Sequence, residues 1–127
     1  MATIVIAETI ATIGVDALKT AGHTVHELSG QPREALVAAL GEADALIVRS
    51  QVKVDAALIA AGPKLRIIGR AGVGIDNIDA VAAERAGILV VNAPDGNTSA
   101  AAEQTFSLLL ALARHVATRA QAVRDGA

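Results

Sequence analysis

The chain has 127 residues, of which 53% are hydrophobic but only 1% aromatic, carries a formal net charge of -2 and contains no cysteine. That length supplies one domain of ordinary size with an aliphatic core, and the lack of cysteine excludes disulfides and zinc–thiolate centres. Its scattered basic residues build no broad positive surface for nucleic acid, no apolar run approaches the roughly 20 residues that cross a bilayer, and no basic leader opens it, so the expected location is cytoplasmic with neither nucleic-acid nor membrane partner.

Five short apolar runs follow in order and read as strands: TIVIA (3–7), HTVHEL (23–28), ALIV (45–48), LRIIG (65–69) and ILVVN (88–92). The segments between them have helical periodicity and end at Gly22, Gly41, Gly62 and Gly87, the residue type suited to the left-handed position after a helix. Most of the runs lack strict alternation, as strands covered on both faces do. The expected class is therefore α/β, a flavodoxin-like, doubly wound, five-stranded parallel sheet over residues 1–97. From Thr98 to Arg124 there is neither Gly nor Pro, which implies one long C-terminal helix of roughly 27 residues and ~40 Å. Residues 98–127 would overhang a domain whose radius of gyration is ~14 Å. Phe106, Leu109, Ala113, Val116, Ala120 and Val123 form one apolar stripe at helical spacing, while Leu108 and Leu112 point elsewhere. A second apolar face needs a second cover.

In an open parallel sheet, ligands bind beyond the carboxyl ends of the strands. At that edge IVRS brings Arg49 and Ser50, IIGR brings Arg70 followed by Ala71-Gly72-Val73-Gly74, and VVNAPDGNTS reaches Asn97. Guanidinium groups suit carboxylate or phosphate, and glycines let backbone amides approach an anion. Gly72-x-Gly74 is also the first half of a dinucleotide fingerprint, but Asn77 stands at the third glycine position. The next strand ends in Asn92, and Asp95 falls beyond it in a turn, so a small-anion loop is favoured over a pyrophosphate site. Asn97 reads either as a helix cap or as a ligand contact. His23, His26 and His115 fit no catalytic or metal-ligating pattern. No catalytic residue and no metal site is assigned.

The stretches IVRSQVKVD and IIGRAGVGIDNIDAVAAERAGILVVNAPDGNTSAAAEQTFSLLLALAR resemble the N-terminal region of the phosphoglycerate dehydrogenases, within the D-isomer-specific 2-hydroxyacid dehydrogenase family. The resemblance runs from about Ile4 to Arg114. It implies a flavodoxin-like substrate-binding domain whose long helix crosses into a separate Rossmann domain that binds NAD. It further implies an oxidoreductase that converts 3-phospho-D-glycerate to 3-phosphohydroxypyruvate for serine biosynthesis. On this resemblance Arg49, with Ser50 beside it, would contact the substrate phosphate. Arg70 would contact the substrate, the amides around Gly72, Val73 and Gly74 its carboxylate, Asn97 would face the cleft, and Val73 would lie near the nicotinamide.

Two departures stand out: Val52 where the family often has threonine, and Gln104 where it often has histidine. The chain stops at Ala127, before the family's glycine fingerprint and its catalytic arginine, glutamate and histidine. The expectation is a truncated substrate-binding domain with no cofactor of its own, inactive alone, whose partner is a small phosphorylated hydroxy acid. Its C-terminal helix, deprived of the other domain, is expected to hold a twofold homodimer through Leu108 and Leu112. The alternative is a non-catalytic flavodoxin-like folding or assembly module with an inert anion site.

Overall fold

Five four-residue strands form where the apolar runs predict them: β1 (Thr3–Ile6), β2 (Thr24–Glu27), β3 (Ala45–Val48), β4 (Ile67–Arg70) and β5 (Leu89–Asn92). The computed structural model describes residues 1–126, so Ala127, the last residue of the expected C-terminal segment, lies outside the described residues. All neighbouring strands are parallel, in the order β2-β1-β3-β4-β5. The expected parallel α/β sheet is thus found. The chain winds outward from β1 to β2 and then from β3 to β5, so the direction of winding reverses between β1 and β3, which is where such sheets open a crevice at their carboxyl edge.

Residues alternate between two faces. Val5, Leu46, Val48 and Ile68 turn one way and pack with Leu36 and Leu40 of α2 (Arg33–Leu40), Leu58 and Ile59 of α3 (Ala56–Ala60) and Ala83 of α4 (Ala80–Arg85). Ile4 and Ile6 turn the other way, onto Val15 of α1 (Thr12–Thr20). Leu40, Leu46, Leu58 and Ile68 are fully buried, and each such side chain stabilises the fold by about 1.5–3 kcal/mol relative to exposure.

Helix ends are set partly by residues that carry no periodic signal. Asp55 caps α3 by accepting the Leu58 N–H at 2.9 Å, and Asp79 caps α4 by accepting that of Ala82 at 2.9 Å, contacts worth about 1 kcal/mol each. Gly22 and Gly87 take the expected left-handed conformation, with φ of 84° and 71°. Gly41 does not, being right-handed helical. Gly62 is not left-handed either. A Cβ there would lie 3.1 Å from the Leu65 Cβ, so Gly62 serves close packing rather than chain reversal.

The expected single helix of roughly 27 residues is corrected to two. The first is α5 (Thr98–Ala113) and the second α6 (Val116–Arg124). Between them His115 sits at φ 53°, ψ 39°, the one non-glycine residue with positive φ among the described residues. Histidine is enriched several-fold in that left-handed region among non-glycine residues, and the apolar stripe runs on from Ala113 to Val116 across it, so periodicity does not mark the break. The chain divides into two compact units, Met1–Pro94 with the sheet and Asp95 onward with α5 and α6. No described helix is long and apolar enough to cross a membrane.

Candidate functional site

Parallel pairing of β3 with β4 sets Val48 opposite Arg70, so Arg49, one residue beyond, leaves the sheet at the same edge as Arg70. The two guanidinium groups then part company. That of Arg49 turns toward the loop after β1, where Nη1 donates to the Thr9 carbonyl at 3.5 Å. It lines a cavity of about 340 Å³ with Glu8, Thr9, Ser29, Gly30, Gln31, Gln51 and Val52. Arg70 is not among its walls. The Arg70 guanidinium instead lies against the Cα of Gly72, where a Cβ would come within 2.8 Å of its Cζ. Its Nε is buried without a hydrogen-bond partner.

The glycine loop is braced from β5. Asn92 Nδ2 donates to the Val73 carbonyl at 2.6 Å, and the Ala93 N–H donates to the Gly72 carbonyl at 3.0 Å. The Gly72 N–H is taken by the Arg70 carbonyl, whereas those of Val73 and Gly74 bond no acceptor among the described residues. Two amides and a guanidinium therefore border this loop, together with an opposing charge, since a Cβ on Gly74 would come within 2.9 Å of Asp76 Oδ1.

Two residues that the sequence analysis does not single out as site residues hold the Arg49 loop. Glu8, only 8% exposed, follows β1 and accepts the N–H groups of Arg49 at 2.7 Å, Gln51 at 2.9 Å and Val52 at 3.2 Å. Burial by itself would raise the pKa of this carboxyl. The hydrogen bonds from Gln51, Arg49 and Val52, with the positive charge of Arg49, outweigh burial and hold it below its ordinary value of 4.5. From the other side Asn77 Nδ2 donates to the carbonyls of Arg49 at 2.9 Å and Val52 at 2.8 Å. An acid just past a strand's carboxyl end is the legible signal for Glu8. Asn77 stands out in the sequence only as a missing glycine.

The remaining expected positions divide. Ser50 is exposed beside Arg49 and Val73 is 38% exposed on the glycine loop. Val52 lines the Arg49 cavity and also packs partly buried against the main core, an apolar use for the departure from threonine. Asn97 occupies the position before α5, makes no side-chain capping bond and belongs to the second unit. Gln104 is exposed on α5. His23 Nδ1 accepts the Ala2 N–H at 3.3 Å, a structural use, and His26 pairs across from Val5. No group of three potential metal ligands is gathered among the described residues.

Residues 4–127 match the family description "D-isomer specific 2-hydroxyacid dehydrogenase, catalytic domain". The D-3-phosphoglycerate dehydrogenase of Archaeoglobus fulgidus is 45% identical over 123 residues, which cover 97% of this chain and 23% of that protein. Among solved structures, the TT0316 protein of Thermus thermophilus superposes with a TM-score of 0.86 at 32% identity, over 98% of this chain and 40% of its own. An NAD+-bound 3-phosphoglycerate dehydrogenase of Entamoeba histolytica superposes with a TM-score of 0.73 at 35% identity, over 87% of this chain and 38% of its own. The chain spans less than a quarter of the curated relatives it matches.

Proposed function

We propose, since the chain belongs to the D-isomer specific 2-hydroxyacid dehydrogenase family, that its first unit is the substrate-binding part of an NAD-dependent D-3-phosphoglycerate dehydrogenase acting in the cytoplasmic synthesis of serine. The observation that carries this reading is the pair of arginines at the carboxyl ends of adjacent strands, the second of which leads into a glycine loop with two amides that bond no acceptor among the described residues. 3-Phosphoglycerate carries one phosphate and one carboxylate. Arg49 and Ser50 would take the phosphate, where a guanidinium offers paired donors. Arg70 with the Val73 and Gly74 amides would take the carboxylate.

The residues present do not form an NAD site. The third position of the fingerprint is Asn77, whose side-chain amide is already bonded to two carbonyls, and β5 ends in Asn92 rather than an acid. Val73 would contribute no more than an apolar wall beside the nicotinamide. No hydride-transfer step is therefore assigned to these residues, whose part is to bind and orient the hydroxy acid.

The test is a titration of the 127-residue chain with 3-phosphoglycerate, followed by backbone NMR, together with an assay of NADH formation. Shifts should centre on residues 49–52 and 70–74 and be lost in Arg49→Ala and Arg70→Ala, with no NADH formed. Unchanged shifts in both variants would leave the alternative, a folding or assembly module with an inert anion site.

A further inference from the structure

The loop that carries Arg49 is held by two side chains, one just past the end of β1 and one from the loop between β4 and α4. Three of its N–H groups converge on the two oxygens of Glu8, and two of its carbonyls receive the amide of Asn77. Convergent amides of this kind are the arrangement by which loops capture phosphate or carboxylate ligands. Here an internal carboxylate already fills it. Among Arg49, Ser50, Gln51 and Val52 only the Ser50 N–H is not taken by Glu8.

The neighbour of Glu8 extends the brace. The Thr9 carbonyl meets the Arg49 guanidinium, while the Thr9 N–H donates to Ser29 Oγ at 3.1 Å and the two hydroxyls lie 2.8 Å apart. The end of β1 thus holds the backbone of Arg49, and its loop, tied to Ser29 beyond β2, offers the exposed head group one long contact.

We infer that Glu8 is a positioning residue of the anion site: by filling the amide cradle of the Arg49 loop it fixes where Arg49 stands and obliges a bound anion to be met by the guanidinium rather than by loop amides. The inference rests on the reading of Arg49 as the phosphate-binding group. It also runs opposite to simple electrostatics. Glu8 is a negative charge beside the site, so removing it would tighten anion binding if charge were its whole contribution. A positioning role predicts weaker binding.

Glu8→Gln removes the charge at nearly constant shape, and Glu8→Asp keeps the charge but withdraws it by one methylene. For the full chain and both variants, hydrogen exchange of the Arg49, Gln51 and Val52 amides is measured without ligand, and Kd is measured for inorganic phosphate and for 3-phosphoglycerate. Expected in both variants is faster exchange at those three amides, with Leu46 and Ile68 unchanged as evidence of an intact sheet. Affinity for 3-phosphoglycerate should fall about tenfold, the factor that corresponds to roughly 1.4 kcal/mol. Unchanged exchange, or binding that is equal or tighter in Glu8→Gln while the wild type binds, overturns the positioning role. If the wild type binds neither anion, the reading of Arg49 itself fails, a result distinct from any behaviour of the variants.

Discussion

Replacing Gly72 with alanine tests whether the resting place of the Arg70 guanidinium matters. The new Cβ would lie 2.8 Å from Cζ, 3.4 Å from Nε and nearer still to Nη1. Because these atoms end a flexible side chain, the clash is relieved by moving Arg70. The guanidinium must withdraw by about 1 Å or more to regain van der Waals separation. A second cost comes from the backbone, since Gly72 has φ of 157°, and a side chain held in such a sparsely populated region costs on the order of 1–3 kcal/mol. Thermal melting should therefore fall by several degrees without loss of the fold. If Arg70 binds the ligand, displacement forfeits hydrogen bonds to a charged group worth about 1.5–3 kcal/mol, and Kd for 3-phosphoglycerate rises roughly ten- to a hundredfold. Calorimetric titration of Gly72→Ala, Arg70→Ala and the double variant provides the assay. The double variant should bind no worse than Arg70→Ala, because the two changes act through one group. A folded Gly72→Ala protein that binds within twofold of wild type would refute the assignment of Arg70.

Two further outcomes can be checked. Glu8 has a folded pKa below its ordinary value, so its stabilising contribution is complete above about pH 4.5 and is lost as pH falls through the folded pKa. Urea melts from about pH 6 to pH 3 should show a shallower acid decline in Glu8→Gln than in wild type, and parallel declines would contradict the hydrogen-bond account. In the second unit Leu108 and Leu112 are 61% and 78% exposed, and the homodimer expected from the sequence would bury them. Light scattering should show a concentration-dependent dimer that Leu108→Glu with Leu112→Glu abolishes, and a wild-type monomer at every concentration would sink the proposal.

The amino-acid sequence by itself determined the number and parallel class of the strands, because all but the polar β2 are apolar runs closed by a polar residue or a glycine, and right-handed crossovers leave few ways to arrange five of them. It also delivered Arg49 and Arg70 to one edge, since strand ends follow from strand positions. What only the tertiary structure decided is how those side chains are used. Glu8 meets residues 49–52 across more than forty positions of sequence, and Asn77 reaches back to the same loop, contacts that no local spacing encodes. The break at His115 was hidden for a different reason. Neither Arg114 nor His115 is a helix breaker by composition, so the helical pattern continues through them, whereas the backbone turns left-handed at His115. Periodicity records which face of an element is apolar. It carries no record of which distant polar group completes a loop's hydrogen bonds, and at this edge of the sheet those bonds decide where the arginine stands.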